Sequence, residues 1–170
     1  VMLKKPRFDL VIRMATELGV ASIAPFGCER SVPRPDAARL EARLRRWCTI
    51  ASQAARQSGQ AAVPGIRPPC GLDELLQMAA APVRLVLHPA GEEALSMEQA
   101  LSGCGPAERL VLVGPEGGFS PGEIERILRG GYTMVSLALP VLRAETAAVV
   151  AVTLARLLPA RNRREMKDLI

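Results

Sequence analysis

The sequence is poor in aromatic residues, which make up 3% of its 170 positions. We therefore expect an aliphatic core built from Leu, Val, Ile and Ala, because apolar burial must come from what is present. Modules that bind single-stranded nucleic acid on a stacking platform need several exposed rings. The shortage argues against that class of protein. The aromatic residues are Phe8, Phe26, Trp47, Phe119 and Tyr132.

Histidine and paired cysteines are also scarce. His88 is the one histidine, and the four cysteines, at positions 28, 48, 70 and 104, form no CxxC pair. Zinc sites generally use such pairs, so we predict no metal site. No signal-peptide pattern is visible, and no apolar run reaches the roughly 18 residues that span a bilayer. These absences predict a soluble, cytoplasmic protein whose thiols are reduced.

Positive charge is present but unevenly distributed. The whole chain carries a net charge of +5, while residues 1–67 carry +7, residues 68–150 carry −5 and residues 151–170 carry +3. A basic N-terminal part and a basic tail from Arg161 suit a polyanionic partner that meets one face. A solvated arginine-rich surface explains the same pattern, so both interpretations stay open here.

Hydrophobic periodicity predicts one α/β domain over about residues 1–170, with a parallel sheet and helices on both of its faces. Asp36 is the predicted N-cap of the longest helix, and residues 60–70, rich in proline, are predicted to be a connector. The predicted helices cover 7–19, 36–58, 72–79, 92–101, 120–129 and 146–158. The predicted strands cover 21–25, 83–88, 109–113 and 132–138.

A glycine-rich turn follows one predicted strand and opens a capped helix. It reads Gly114-Pro-Glu-Gly-Gly-Phe-Ser-Pro-Gly-Glu123, and Ser120 with Glu123 forms a capping box with Pro121 at the first helical position. Ligands of open α/β sheets bind at the carboxyl ends of strands, where this turn lies. It lacks the Lys-Ser/Thr pair of a P-loop and is not GxGxxG. The turn alone favours either a nucleotide-like ligand or only a tight bend.

Two charged residues, Arg143 and Glu145, interrupt an otherwise apolar stretch between a strand and a helix. Charges in such surroundings are usually paired or functional. The simpler interpretation is an Arg143–Glu145 ion pair, with Thr146 as the cap of the following helix.

Two segments, LVLVGPEGGFSPGEI and LPVLRAETAAVVAV, resemble the RsmE family of ribosomal RNA uridine-N3 methyltransferases, which belongs to the SPOUT superfamily. The blocks ATELGVASIAPFGCERSV and AARQSGQAAVP match family blocks in the same order, so the resemblance covers about residues 4–158. It implies a fold that periodicity could not indicate, a deep trefoil knot in the C-terminal part, about residues 83–158. Knots are nearly absent from proteins, so ordinary topology rules would reject one.

The resemblance also implies a cofactor, S-adenosylmethionine (SAM), held by three loops. The corresponding segments here are 87–90, 114–118 and 137–142. It further implies a homodimer packed through the knot, with small-subunit (16S) ribosomal RNA reaching the site at the dimer interface. The residues expected to contact the cofactor are Leu87, His88, Pro89, Gly114, Pro115, Glu116, Gly117, Gly118, Leu137, Leu139 and Leu142.

The expected catalytic residues are Arg143, Glu145 and Thr146. Uridine N3 carries a proton and is a poor nucleophile while neutral, so a cation that stabilises the developing anion assists the reaction. Arg143 is permanently charged and suits this task. Glu145 either orients Arg143 or acts as the base, and Thr146 either caps the helix or contacts the uracil.

The family blocks also imply a polar rim that meets RNA. Glu17 and Glu29 both match these blocks, and the simpler interpretation is that each is a charge on the protein surface. For Gln53 and Gln57, the simpler interpretation is a side-chain pair within one helix. His88 is interpreted as a strand-end residue rather than a catalytic one. The residues expected to bind RNA are Glu17, Arg30, Gln53, Gln57 and Ser58.

Departures from the family pattern keep two alternatives open. Gln60 stands where the family usually has arginine, and the Leu139-Pro140 region replaces a glycine. The family's N-terminal barrel resembling PUA has no counterpart before Lys4, so we expect a fragment or a short variant. The alternatives are an RNA-binding or ribosome-assembly protein without catalysis, and a related SPOUT enzyme that methylates a ribose 2′-hydroxyl.

Overall fold

A computed structural model describes residues 6–31, 37–78, 80–89, 94–105 and 107–158. The predicted N-cap Asp36, the loop residue Ala90 and the tail from Arg161 lie outside these ranges. The helices are α1 Arg7–Glu17, α2 Ala37–Ser58, α3 Leu72–Met78, α4 Met97–Leu101, α5 Pro121–Arg129 and α6 Ala144–Leu157. The strands are β1 Ser22–Ile23, β2 Phe26–Gly27, β3 Gly65–Ile66, β4 Cys70–Gly71, β5 Val83–Leu87, β6 Leu95–Ser96, β7 Arg109–Leu112 and β8 Thr133–Ser136.

The main sheet has four strands in the order β6-β8-β5-β7, and all of its pairings are parallel. Val86 of β5 packs with Ile127 of α5, while its neighbour Leu85 points to the other face and packs with Leu101 of α4. The predicted parallel sheet covered by helices on both faces is confirmed. The last strand, β8, is inserted between two earlier ones, so its loop lies in the middle of the sheet.

The predicted aliphatic core is wrong in one respect. All of the aromatic side chains are buried, and four of them form two ring pairs. Phe8 and Trp47 join α1 to α2 with ring centroids 4.8 Å apart, and Phe26 and Phe119 are stacked at 6.3 Å. A large ring removes more apolar surface from water than an aliphatic side chain, so burial of the few available rings adds to a core that is otherwise mostly aliphatic.

The predicted connector 60–70 contains strand β3 and the first residue of β4. Gly65 N–H donates to Ala21 O at 3.0 Å, and Arg67 N–H donates to Ile23 O at 2.9 Å. Proline lacks an N–H and cannot donate such a bond. The prolines of this segment stand at positions 64, 68 and 69, so none of them occupies a position whose N–H pairs with β1. The predicted strand 21–25 is likewise divided into β1 and β2 around Ala24 and Pro25.

Two helix starts also differ from prediction. Residues 92 and 93 of the helix predicted over 92–101 lie outside the described ranges. In the described part, the helix begins at Met97, because Leu95 and Ser96 pair with β8 and Ser96 then caps the helix through a box with Gln99. The helix predicted from Thr146 begins at Ala144, with Arg143 as its N-cap and no side-chain capping bond. The strand predicted over 132–138 ends at Ser136. No described helix is long and apolar enough to cross a membrane.

An apolar groove of about 880 Å³ lies beside β7, at the edge of the main sheet. Its walls come from β1 and β7, and helices α1 and α6 contribute to its lining. Representative lining residues are Val11, Ile23, Leu110, Val111, Ala148 and Val152. Its lining includes Val113 and Ala144, which lie next to the predicted cofactor loops, but no described residue of the loops themselves. The groove is therefore distinct from the predicted cofactor site.

Candidate functional site

The three loops predicted to hold the cofactor leave the sheet side by side. They follow β5, β7 and β8, which are neighbours in the parallel sheet, so their carboxyl ends lie at one edge. The N–H of His88 donates to Val135 O at 3.0 Å and joins the first loop to the end of β8. The described parts of segments that are far apart in sequence therefore meet at the position where α/β sheets bind ligands.

The glycine loop, residues 114–118, is shaped by close approach and by one left-handed residue. A Cβ on Gly114 would lie 2.9 Å from the ring of Phe119, which leaves room for glycine alone. Gly118 has φ +68° and its N–H closes a turn onto Pro115 O at 2.9 Å. Pro115 is buried, whereas Glu116 and Gly117 are exposed. The loop thus exposes the backbone of Glu116 and Gly117, while the buried Pro115 and the turn at Gly118 hold its conformation.

The helix after the glycine loop has the predicted capping box. Ser120 Oγ accepts from Glu123 N–H at 3.3 Å, and Glu123 Oε2 accepts from Ser120 N–H at 2.9 Å. The other carboxylate oxygen, Oε1, accepts from Glu29 N–H at 2.8 Å. Glu123 therefore ties the turn after β2 to the N-terminus of α5, a contact that the capping pattern did not predict.

The third loop, between β8 and α6, exposes apolar side chains. Ala138 has φ +52°, and its N–H donates to Ser136 Oγ at 3.1 Å. Val141 is 88% exposed and Leu139 is also exposed, while Leu142 is half-buried. The Leu139-Pro140 segment that departs from the family pattern is thus a surface feature of this chain.

Arg143, Glu145 and Thr146 have different environments at the start of α6. The Arg143 and Thr146 side chains are exposed, whereas Glu145 is buried with a side chain 11% exposed. Glu145 Oε1 lies 3.7 Å from Nε of Arg7, so its ion pair is with Arg7. The simpler interpretations, an Arg143–Glu145 pair and a Thr146 cap, do not describe this structure. Arg143 is left as an exposed cation at a helix N-terminus.

Two arginines of the N-terminal segment contact the glycine loop. Arg7 forms an ion pair with Glu116, a residue 109 positions away. Arg30 Nη1 donates to Gly117 O at 2.8 Å, and its aliphatic carbons lie 3.4 Å from where a Cβ on Gly117 would be. The family blocks predict that Arg30 binds RNA, and they predict no role for Arg7. No local spacing signals a contact across such a separation.

The residues predicted to bind RNA fall into two groups. Arg30 lies at the glycine loop, whereas Glu17 ends α1 and the other three lie on the second half of α2. Gln60, after that helix, donates to Glu17 O at 2.8 Å, so Glu17 and the end of α2 are neighbours. Arg7 at the start of α1 meets the glycine loop, which places the Glu17 group at the opposite end of that helix. The remaining members of that group are Gln53, Gln57 and Ser58.

The other polar residues near the loops have simpler roles. His88 Nδ1 lies 3.1 Å from Pro89 O, as suits a residue that ends a strand. Burial, helped by the charge of Glu123, raises the pKa of the Cys28 thiol, which keeps this cysteine protonated and unreactive. Among the described residues, no group of His, Cys, Asp and Glu is arranged to hold a metal ion.

Comparison with known proteins identifies the family. A sequence model described as an RNA methyltransferase domain matches residues 1–156. Ribosomal RNA small subunit methyltransferase E of Mycobacterium bovis is 35% identical over 153 residues, which are 87% of this chain and 57% of that protein. The Bacillus subtilis protein of the same name is 31% identical over 155 residues, which are 88% of this chain and 60% of that protein.

Solved structures that resemble this chain are also methyltransferases. Ribosomal RNA small subunit methyltransferase E of Neisseria gonorrhoeae, bound to S-adenosyl methionine, has a TM-score of 0.81 and 30% identity, over 92% of this chain and 62% of that one. A Legionella pneumophila methyltransferase in complex with SAM has a TM-score of 0.84 and 33% identity, over 90% of this chain and 62% of that one. The chain therefore spans about three fifths of the length of these relatives. The predicted RsmE resemblance is confirmed, and this chain belongs to the RNA methyltransferase domain family.

Proposed function

We propose that the chain is a methyltransferase domain that transfers a methyl group from SAM to N3 of a uridine in small-subunit ribosomal RNA. The observation that carries the proposal is the meeting of three loops at the carboxyl ends of β5, β7 and β8, beside an exposed Arg143. The relatives named for this activity support it, as does the RNA methyltransferase match.

The chain's own residues fit a bent, partly apolar cofactor. The backbone at Gly118 is open enough to approach an adenosine, because a Cβ there would meet no atom within 4 Å. Leu87, Leu137 and Leu142 are half-buried and supply apolar surface on the neighbouring loops. We assign to cofactor binding all of the residues that the sequence analysis gave to the three loops. Bound SAM supplies an electrophilic methyl group at this edge of the sheet.

Arg143 is the proposed catalytic residue. Loss of the N3 proton of uridine to solvent water leaves negative charge spread over N3 and the two carbonyl oxygens. The N3–methyl bond would then form as the methyl–sulfur bond of the cofactor breaks, which leaves a neutral base. A guanidinium at the N-terminus of α6 adds its charge to the positive end of the helix dipole and stabilises that anion. Thr146, exposed one turn away, is placed to contact the uracil.

Glu145 is proposed to act by holding the start of α6 rather than as the base. Its side chain is buried and its Oε1 lies 3.7 Å from Nε of Arg7, so this carboxylate is engaged with α1 at the start of α6. A base must reach the proton that it removes. Of the two roles that the sequence left open for Glu145, the structure favours orientation, with Arg7 rather than Arg143 as the partner.

Several further features belong to the same proposal. The insertion of β8 between β6 and β5 is compatible with a trefoil knot over about residues 83–158. The exposed apolar side chains of the third loop, Leu139 and Val141, suit a homodimer formed through that region.

We further propose a single domain over residues 1–170 and a cytoplasmic location, where ribosomal RNA is modified. The polar groups at the two ends of α1 would meet the RNA.

Calorimetry with SAM and with S-adenosylhomocysteine tests the proposal. We expect binding of both, and no heat with ATP as a control nucleotide. Methyl transfer to small ribosomal subunits, followed by mass spectrometry of the nucleosides, should then yield N3-methyluridine. An absence of binding at millimolar ligand contradicts the proposal. A methylated ribose identifies the 2′-hydroxyl alternative, and binding without transfer identifies the assembly-protein alternative.

A further inference from the structure

We propose that Arg7 is a positioning residue that holds the glycine loop against the start of α6. The inference rests on the proposed function, because those two segments carry the expected cofactor and catalytic residues. Arg7 lies in neither of the two segments that carry the family resemblance most specifically. It does not contact the reacting atoms itself, and its effect passes through Glu116 and Glu145.

One guanidinium contacts two carboxylates on different elements. Nη1 of Arg7 forms a charge-assisted hydrogen bond with Glu116 of the glycine loop. Nε of the same side chain lies 3.7 Å from Oε1 of Glu145, in the first turn of α6. The planar guanidinium has donors along separate edges, which lets one residue bridge two acids.

The backbone that carries Arg7 is firmly anchored. The next residue, Phe8, packs its ring on Trp47, and Ile12 one turn later is fully buried. Asp9 accepts two hydrogen bonds from Arg46 of α2, at 2.8 and 3.0 Å. The position of the guanidinium is therefore set by the α1–α2 core. Movement of the glycine loop relative to α6 would break at least one of its two contacts.

The two ion pairs have different expected effects. Arg7 and Glu116 are 41% and 47% exposed, and half-exposed pairs contribute little to global stability. Glu145 is buried, and its Oε2 has no hydrogen-bond partner among the described residues. Arg7, which lies 3.7 Å from Oε1, therefore serves as the counter-charge of this carboxylate. Loss of Arg7 should therefore release the glycine loop and also lower the unfolding temperature, because the buried Glu145 loses its counter-charge.

Arg30 restrains the same loop at the next residue. Its Nη1 bonds Gly117 O at 2.8 Å, while Arg7 bonds the Glu116 side chain. Both arginines come from the N-terminal segment. A loop held at successive residues loses little further freedom when it binds a ligand, which favours affinity.

Hydrogen exchange of the 170-residue chain without ligand provides the first test. In Arg7→Ala we expect the amides of residues 116–118 to exchange about tenfold faster, while those of the buried helix α1 keep their protection. Arg13→Ala is the matched control, because Arg13 is an exposed arginine of the same helix. Equal exchange in the loops of the two variants would overturn the proposal.

SAM affinity provides the second test. Arg7→Ala, measured at a temperature where the variant is fully folded, should weaken binding about tenfold, and Arg13→Ala should not. Arg7→Lys should recover part of the affinity. The lysine ammonium keeps the positive charge, but it lacks the separate Nη1 and Nε donors that reach Glu116 and Glu145. In the hydrogen-exchange experiment, combining Arg7→Ala with Glu116→Gln should accelerate exchange of the loop no more than Arg7→Ala alone. Fully additive accelerations contradict the bridge.

The two tests separate this proposal from the proposed function. If the unmodified chain binds no SAM, the proposed function fails, while the exchange comparison still decides the role of Arg7. If the unmodified chain binds SAM and both arginine variants bind equally well, the function stands and the positioning role is refuted.

Discussion

The N–H of Glu29 donates a 2.8 Å hydrogen bond to Oε1 of Glu123, a carboxylate that is 1% exposed. The two residues stand 94 positions apart. The same carboxylate caps α5 through Ser120 N–H, so one buried side chain serves the helix terminus and the N-terminal segment together. A group that satisfies two backbone donors, one buried and one part-buried, is costly to remove, because both lose this partner.

We therefore expect Glu123→Ala to lower the free energy of unfolding by about 2–4 kcal/mol, the sum of a lost cap and of unsatisfied donors. Urea denaturation followed by circular dichroism measures this change. Glu125→Ala is the control, since that exposed residue pairs only across one helix turn with Arg129 and should change stability by about 0.5 kcal/mol or less. Similar effects of the two substitutions would show that the Glu29 contact adds nothing.

Arg143→Ala should lower the rate of methyl transfer by about 100-fold or more, because the charge that stabilises the uracil anion is removed. Its side chain is exposed and makes no capping bond, so the unfolding temperature should stay within about 2 °C. Transfer of a labelled methyl group to small ribosomal subunits gives the rate, and calorimetry checks that SAM still binds. Retained activity would remove Arg143 from the catalytic role.

Gly118 and Gly59 form a matched pair, because both have φ +68° and neither has an atom within 4 Å of a Cβ position. Substitution by alanine should cost each about 1 kcal/mol of stability through the same left-handed strain. Only Gly118 lies in the proposed cofactor loop, so only Gly118→Ala should weaken SAM binding. An equal loss of affinity in Gly59→Ala would indicate a global rather than a local effect.

Tyr132 is buried, and its hydroxyl has no hydrogen-bond partner among the described residues. Burial raises the pKa of this hydroxyl above its ordinary value of 10.0, with Arg84 acting in the opposite direction. The folded state therefore resists deprotonation, and its stability should fall as the pH rises above about 10. The slope is negative because the unfolded chain binds fewer protons there.

Tyr132→Phe should flatten that alkaline decline and should raise stability at pH 7 by up to about 1 kcal/mol, since an unsatisfied polar group is removed. Urea denaturation at several pH values between 7 and 11 measures both effects. A steeper alkaline decline in the variant would contradict the assignment of Tyr132 as the titrating group.

Local patterns were sufficient to predict the parts of the site that depend on short spacing. The capping box of Ser120 and Glu123 lies within one turn, and the glycines of the loop are adjacent in sequence, so both could be recognised directly. The main sheet followed from the alternation of strands and helices. Strand β3 was missed because proline usually signals a connector, and β6 was missed because two residues carry no periodicity.

Long-range contacts could not be predicted in the same way. The bond from Arg7 to Glu116 joins residues that no pattern relates, and the family blocks gave Arg30 a role in RNA binding without revealing Gly117 as its partner. The expected Arg143–Glu145 pair rested on proximity in sequence. The helix turns those side chains into different environments, and burial of Glu145 then depends on an arginine from another element.

The groove beside β7 affects how the folding of this chain can be judged in the laboratory. Its apolar walls form a cavity of about 880 Å³, large enough for a fluorescent hydrophobic dye. Dye binding is often taken as the mark of a molten globule. Here the native state itself should bind such a dye, so near-ultraviolet circular dichroism of Trp47 and Tyr132, both buried, is the better criterion of correct folding.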